Sequence, residues 1–276
     1  MDPAKRCNPI RNHLQLASSL VSEASPSQGP ARGSDGRARR WLVAGLTLVG
    51  TLQACGPVPA AERGSELARD PRLSASATNA YACTTCHSTS AEDEQARLLP
   101  GYSLVGASQR PTLWNGGLTS LKDAVSQCLV DFMRGESVAA QDGNGLALLA
   151  YLQTLPASPS VPALSGQPQP CTVVRNIDDA YLRSLPTADA TRGAQTYQRA
   201  CALCHGQPHT GEGRLGPRFS VLPEDTVATF GAQSRAVIAE KVRHGKYFGI
   251  GGLMPFYCTE RLSDGQLADL LGYLLP

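Results

Sequence analysis

At 276 residues the chain can hold about two domains of typical size. The formal net charge of +2 is concentrated at the start, since residues 1–54 carry seven of the 25 basic and three of the 23 acidic side chains. The rest, with 18 basic and 20 acidic residues, has no basic field of the kind that attracts nucleic acid.

In chain order, residues 1–40 are polar and end in the basic run Arg37-Ala38-Arg39-Arg40. Residues 41–52 form an apolar stretch of about twelve residues, too short to span a bilayer but the length of a signal-peptide core. It runs into Leu52-Gln53-Ala54-Cys55-Gly56, which resembles the lipobox of bacterial lipoproteins. That resemblance implies that residues 1–54 are a signal and N-terminal extension and that Cys55 is lipidated. It also implies a body anchored on the periplasmic side of a bacterial membrane. An ordinary signal peptide with an incidental cysteine is the alternative. Residues 55–76, rich in Pro, Ala and charge, read as a flexible tether.

Two pentads follow, Cys83-Thr84-Thr85-Cys86-His87 and Cys201-Ala202-Leu203-Cys204-His205. Two thiols separated by two residues and followed at once by histidine form the c-type haem attachment pattern. On a helix, positions i, i+3 and i+4 share one face. Both sulfurs then reach a porphyrin edge while the histidine offers a ring nitrogen to iron. The composition gives on the order of 0.005 chance copies of one such pentad. A structural zinc needs four protein ligands, and each pentad supplies three. The expected cofactors are therefore two covalently bound c-type haems, attached at Cys83/Cys86 and Cys201/Cys204 with His87 and His205 as iron ligands. A low aromatic content of 5% suits cores built around a prosthetic group.

Between the pentads, residues 121–134 and 146–155 read as helices. The second carries a stripe of Leu148, Tyr151, Leu152 and Leu155 and is stopped by Pro156. The Pro-rich stretch 157–177 marks a linker, which gives domains at 77–156 and 178–276. In the second repeat, Ser263-x-x-Gln266 is a capping box opening a last helix with Leu267, Leu270, Leu271, Leu274 and Leu275 on its apolar face. Residues 237–244 read as a middle helix, and 249–255, with Met254 in a Gly/Pro-rich loop, as the segment offering the sixth iron ligand. A His/Met pair raises a haem's potential and suits electron transfer.

The lead-in to Cys201, Asp189-Ala190-Thr191-Arg192-Gly193-Ala194-Gln195-Thr196-Tyr197, resembles the N-terminal helix of bacterial class I cytochromes c. The resemblance covers roughly residues 77–156 and 187–276. It implies an all-α fold of two tandem class I cytochrome c domains joined by the Pro-rich linker. Gly193 and Tyr197 would cross a final helix containing Gly272 and Tyr273. It also implies that a proline carbonyl receives the histidine's free ring N–H, a role that falls on Pro217 and, in the first repeat, on Pro100.

At the first haem two distal ligands stay open, with an iron left vacant or ligated otherwise as a third option. Alignment from the last helix selects Met133. Alignment from the middle helix puts Met133 ahead of the ligand loop, and Cys128 is the rival. The segment Gln127-Cys128 with Met133-Arg134-Gly135 resembles that of two-haem cytochromes of the thiosulfate dehydrogenase and SoxA-like type, which use a cysteine ligand there. Without ligation, Cys128 would pair with Cys171 or Cys258 in an oxidising compartment. The leading expectation is a di-haem carrier of single electrons between redox proteins of the periplasm or membrane, with no nucleic-acid partner. The alternative is an oxidoreductase of sulfur anions such as thiosulfate, with Arg110 and Arg134 as candidate anion-binding residues. A di-haem peroxidase is the third reading.

Overall fold

The computed structural model describes residues 58–140, 143–155, 169–246 and 252–276. The signal segment, Cys55, residues 156–168 of the Pro-rich stretch and residues 249–251 of the expected ligand loop lie outside the described residues. The fold is all-α. Among the described residues the only β feature is one antiparallel bridge, Leu113 with Leu118, and no helix is long and apolar enough to cross a membrane.

The helices are α1 (Ala60–Leu67), α2 (Cys83–Cys86), α3 (Leu121–Asp131), α4 (Asn144–Gln153), α5 (Asp179–Ser184), α6 (Ala190–Ala200), α7 (Ala202–His205), α8 (Glu224–Phe230), α9 (Ser234–His244) and α10 (Asp264–Leu274). They gather around two apolar clusters. Leu73, Tyr81, Leu129, Met133, Leu148 and Leu152 build the first. Tyr197, Ile238, Val242, Leu267, Leu271 and Leu274 build the second.

Local signals explain where the main helices begin. Ser120 caps α3 by accepting from the Asp123 N–H at 3.3 Å. At α10 both halves of the box form. Ser263 Oγ accepts from the Gln266 N–H at 3.2 Å, and Gln266 Oε1 accepts from the Ser263 N–H at 2.8 Å. Leu267, Leu270, Leu271 and Leu274 are each no more than 1% exposed. Burial of each such side chain contributes about 1.5–3 kcal/mol, so α10 anchors the second cluster.

The α6/α10 crossing has the expected form. A Cβ on Gly193 would sit 2.1 Å from the Asp269 carbonyl oxygen and 2.6 Å from Tyr273 Cβ, so the backbones touch where glycine stands. The Tyr197 and Tyr273 rings lie 6.0 Å apart. Gly272 does not join this contact and faces Ala188 instead. Asp269 ties the crossing, accepting from Arg192 Nε at 2.8 Å and from the Asp189 N–H at 2.7 Å.

One expectation is corrected. Within the proposed tether 55–76, residues 60–67 form α1, and 71–74 a 3₁₀ turn capped by Asp70. Helix α1 packs on α4, where a Cβ on Gly64 would lie 2.0 Å from the Ala147 carbonyl and 2.6 Å from Tyr151 Cβ. It is the counterpart of α6, and the first repeat therefore begins before residue 77. Its glycine and charges read as linker, but the glycine is the crossing point. Gly64 also stands 19 residues before Cys83, against 8 between Gly193 and Cys201, which hides the correspondence.

Candidate functional site

Both pentads line cavities. One, of about 420 Å³, is walled by Cys201, Cys204, His205, Phe219 and Met254. The other, of about 300 Å³, is walled by Cys83, Cys86, His87, Cys128, Phe132 and Met133. Both volumes lie at the low end of the roughly 300–1,000 Å³ usual for cofactor pockets. Tyr81, Cys86, Pro100 and Pro255 belong to both walls, so the two sites share a partition.

Helix α2 is one turn long and ends at Cys86, with His87 extended. Helix α7 follows directly from α6 and carries Cys204 and His205. The four pentad thiols are free. Burial pushes the Cys83 and Cys204 thiols up to about 11 and Cys201 up to about 12. Burial among apolar walls thus favours the neutral thiol at these positions. Among the described residues no three His, Cys, Asp or Glu side chains cluster as a metal centre.

Each histidine is held by one backbone carbonyl. His87 Nδ1 donates to the Tyr102 carbonyl at 2.7 Å, and His205 Nδ1 to the Ser220 carbonyl at 2.9 Å. This fixes the tautomer and leaves Nε2 with its lone pair for iron. Burial lowers both imidazole pKa values from the ordinary range, favouring the neutral form a metal requires. The expectation for Pro217 is corrected here: Pro217 is exposed, and the carbonyl facing His205 belongs to Ser220, three residues on. In the first repeat Tyr102 takes the place expected of Pro100. Both carbonyls follow their histidine by 15 residues, and Pro100 and Pro217 failed to keep a common offset because neither is the acceptor.

Residue 101 must be glycine for this seat to exist. A Cβ there would lie 2.2 Å from His87 Cε1 and 2.4 Å from Nδ1, and the Gly101 N–H donates to the Cys86 carbonyl at 2.9 Å. Phe219 stands edge-on to His205 at 6.3 Å and to Tyr81 at 5.6 Å. Neither residue carries a motif, but a search for equal offsets from the two histidines would have found the carbonyl positions.

The distal candidates separate as follows. Met254 is half-buried, packs on the second cluster and lines the cavity of His205. Both Cys128 and Met133 line the cavity of His87. Cys128 lies on α3. Met133 lies beyond its end, is 4% exposed and is part of the first core. The disulfide is Cys171–Cys258, and Cys128 is free. Burial, with the neighbouring Cys83 and Asp131 adding to it, pushes its thiol up to about 12. Arg110 lines the His87 cavity and donates to the Ser103 and Val105 carbonyls at 2.6 and 3.0 Å. Its Nε is buried without a protein partner. Arg134 lines the other cavity, so the two arginines do not form one anion site.

Free thiols in i, i+3 pairs, a tethered imidazole, a glycine-lined seat and an orphaned guanidinium N–H all fit an anionic, iron-bearing macrocycle. Residues 188–274 match the family described as cytochrome c oxidase, cbb3-type, subunit III. Over 88 residues the chain is 32% identical to cytochrome c6 of Parathermosynechococcus lividus, covering 32% of this chain and 90% of that protein. Over 203 residues it is 24% identical to the thiosulfate dehydrogenase of Allochromatium vinosum, covering 71% of this chain and 69% of that one. The chain belongs to the cytochrome c family, the proteins that bind haem covalently and transfer electrons with its iron.

Proposed function

We propose that the chain is a di-haem c-type cytochrome that carries single electrons between redox proteins of the periplasm or its membrane. The observation that carries this reading is the repeat of one arrangement: two free thiols, a histidine tethered through Nδ1 and a cavity, twice over with a common partition. Cys83/Cys86 and Cys201/Cys204 hold the haems, and His87 and His205 ligate them. Met254 is the distal ligand at the second site. At the first, Cys128 is the distal ligand, since its thiol is free at the cavity wall while Met133 serves the core. Bound haem supplies a one-electron couple, which thiolate ligation lowers relative to methionine. Haem quantification against protein should return two per chain. A value of one, or none after expression with haem-attachment machinery, refutes the reading. Export and lipidation at Cys55 form part of it and are checked by mass analysis of the N-terminal peptide.

A second reading, oxidation of a sulfur anion such as thiosulfate at the first site, is favoured by Cys128 and by the similarity to a thiosulfate dehydrogenase. Steady-state assay with thiosulfate and an artificial electron acceptor decides it. No turnover, together with no spectral change on adding thiosulfate, removes it.

A further inference from the structure

The first site is not built from the first repeat alone. Arg261, in the turn before α10, reaches across to residues 99–102. Its Nε and Nη2 donate to the Leu99 carbonyl at 3.0 and 2.8 Å, and its guanidinium carbon lies 5.0 Å from the centre of the Tyr102 ring. Tyr102 is the residue whose carbonyl receives the His87 N–H, and its hydroxyl donates to the Pro170 carbonyl at 2.5 Å. The turn that presents Arg261 is itself fixed. Cys258 is joined to Cys171, the Thr259 N–H donates to the Thr172 carbonyl, and Glu260 accepts from the Thr172 N–H and hydroxyl at 2.9 and 2.6 Å. Arg261 lines neither cavity, so it acts from behind the segment.

We propose that Arg261 is a positioning residue for the first haem: from the second repeat it clamps residues 99–102 against His87 and sets its cation behind the ligand. This rests on the reading that the first pentad carries a haem. The partners of Arg261 are a carbonyl and an aromatic ring, not an acid, so its charge is not neutralised by contact. A fixed cation in a partly desolvated place stabilises the state in which the iron site holds one more electron. Arg110, which lines the His87 cavity, is the other arginine at this site. Arg110 belongs to the first repeat, whereas Arg261 makes the first haem answer to the second repeat.

The test is spectroelectrochemical titration of the intact two-haem protein as wild type, Arg261→Gln and Arg261→Lys. The Cys83→Ala/Cys86→Ala variant identifies the redox step that belongs to the first haem. Arg261→Gln should lower that step alone by about three- to tenfold in its reduction equilibrium, tenfold being 59 mV for one electron. Arg261→Lys, which keeps the charge, should restore most of it. The unshifted second step serves as the control for folding. Two haems with an unmoved first step in Arg261→Gln, an upward shift, or equal effects of Gln and Lys would each overturn this inference alone. A wild type with a single haem would overturn the two-haem reading and this inference with it.

Discussion

Gly101 shows how little room separates a ligand seat from a broken one. Its hydrogen atoms occupy the place where any side chain would meet the His87 ring, 2.2 Å from Cε1. The same residue anchors the turn through the Cys86 carbonyl. Gly101→Ala must therefore rotate the imidazole or push away the Tyr102 carbonyl, and on the proposed two-haem reading either change alters ligation at the first haem alone. The expected outcome is a changed low-temperature EPR signal and a weakened first redox step, with the His205 haem unaltered. Equal disturbance of both haems would contradict it. Neither Gly101 nor Tyr102 was legible from residue type, because a backbone carbonyl and a close approach leave no chemical signature. The thiols, histidines and Met254 stood out in sequence because the haem-attachment pattern asks for particular side chains, and the structure places them in the walls of two cavities. Pro217 was read in the right loop and the wrong place, since a proline stands out in sequence whereas the carbonyl of Ser220 does not.

At the scale of helices, the two crossings are built alike and differ in what surrounds them. Gly64 on α1 meets Ala147 and Tyr151 of α4, as Gly193 on α6 meets Asp269 and Tyr273 of α10. Inserting a side chain at such a contact costs about 1–3 kcal/mol through displaced backbone. Gly64→Val should lower the denaturation midpoint accordingly, and an unchanged midpoint would mean that α1 is the tether its composition suggested. The α6/α10 pair adds a charge. Hydrogen bonding from Arg192 holds the Asp269 carboxyl below its usual pKa, against the opposing effect of burial. A depressed carboxylate contributes stability above the unfolded value near 4 and loses it as pH falls through the folded value. Asp269→Asn should thus be less stable than wild type in urea at neutral pH, the gap closing as the pH falls through the lowered folded-state value. A gap independent of pH would assign the loss to packing. The leucine stripe and capping box made α10 readable in advance. Helix α1 was not, because its apolar face is short and its contact depends on a missing side chain.

For the molecule as a whole, the Pro-rich stretch suggested two independent bodies, yet the described residues on either side of it are bound to each other at many points. Tyr257 shares its hydroxyl hydrogen between the Leu98 and Ala200 carbonyls at 3.0 and 2.9 Å. Arg199 Nε donates to the Ala96 carbonyl at 2.7 Å, and the Leu98 N–H to the Arg199 carbonyl at 2.9 Å. Lys246 pairs with Asp131 at the end of α3, the helix that bears Cys128. These bonds, one between backbones and the rest through side chains, tie segments before and after the Pro-rich stretch to each other, and losing a partner at the buried ones leaves a polar group unsatisfied. None of them was legible in sequence, since each depends on chain segments more than about 50 residues apart meeting in register, and internal repeats encourage a reading of separate units. The consequence is cooperativity. On the proposed two-haem reading, far-UV circular dichroism and haem absorbance at the two sites should trace one unfolding transition with a common midpoint. Tyr257→Phe, which removes one shared donor worth about 0.5–1.5 kcal/mol, should shift that midpoint without splitting it. Two transitions in the wild type, with the His205 haem outlasting the His87 haem, would show that each repeat holds its haem on its own and that the bonds across the partition contribute little.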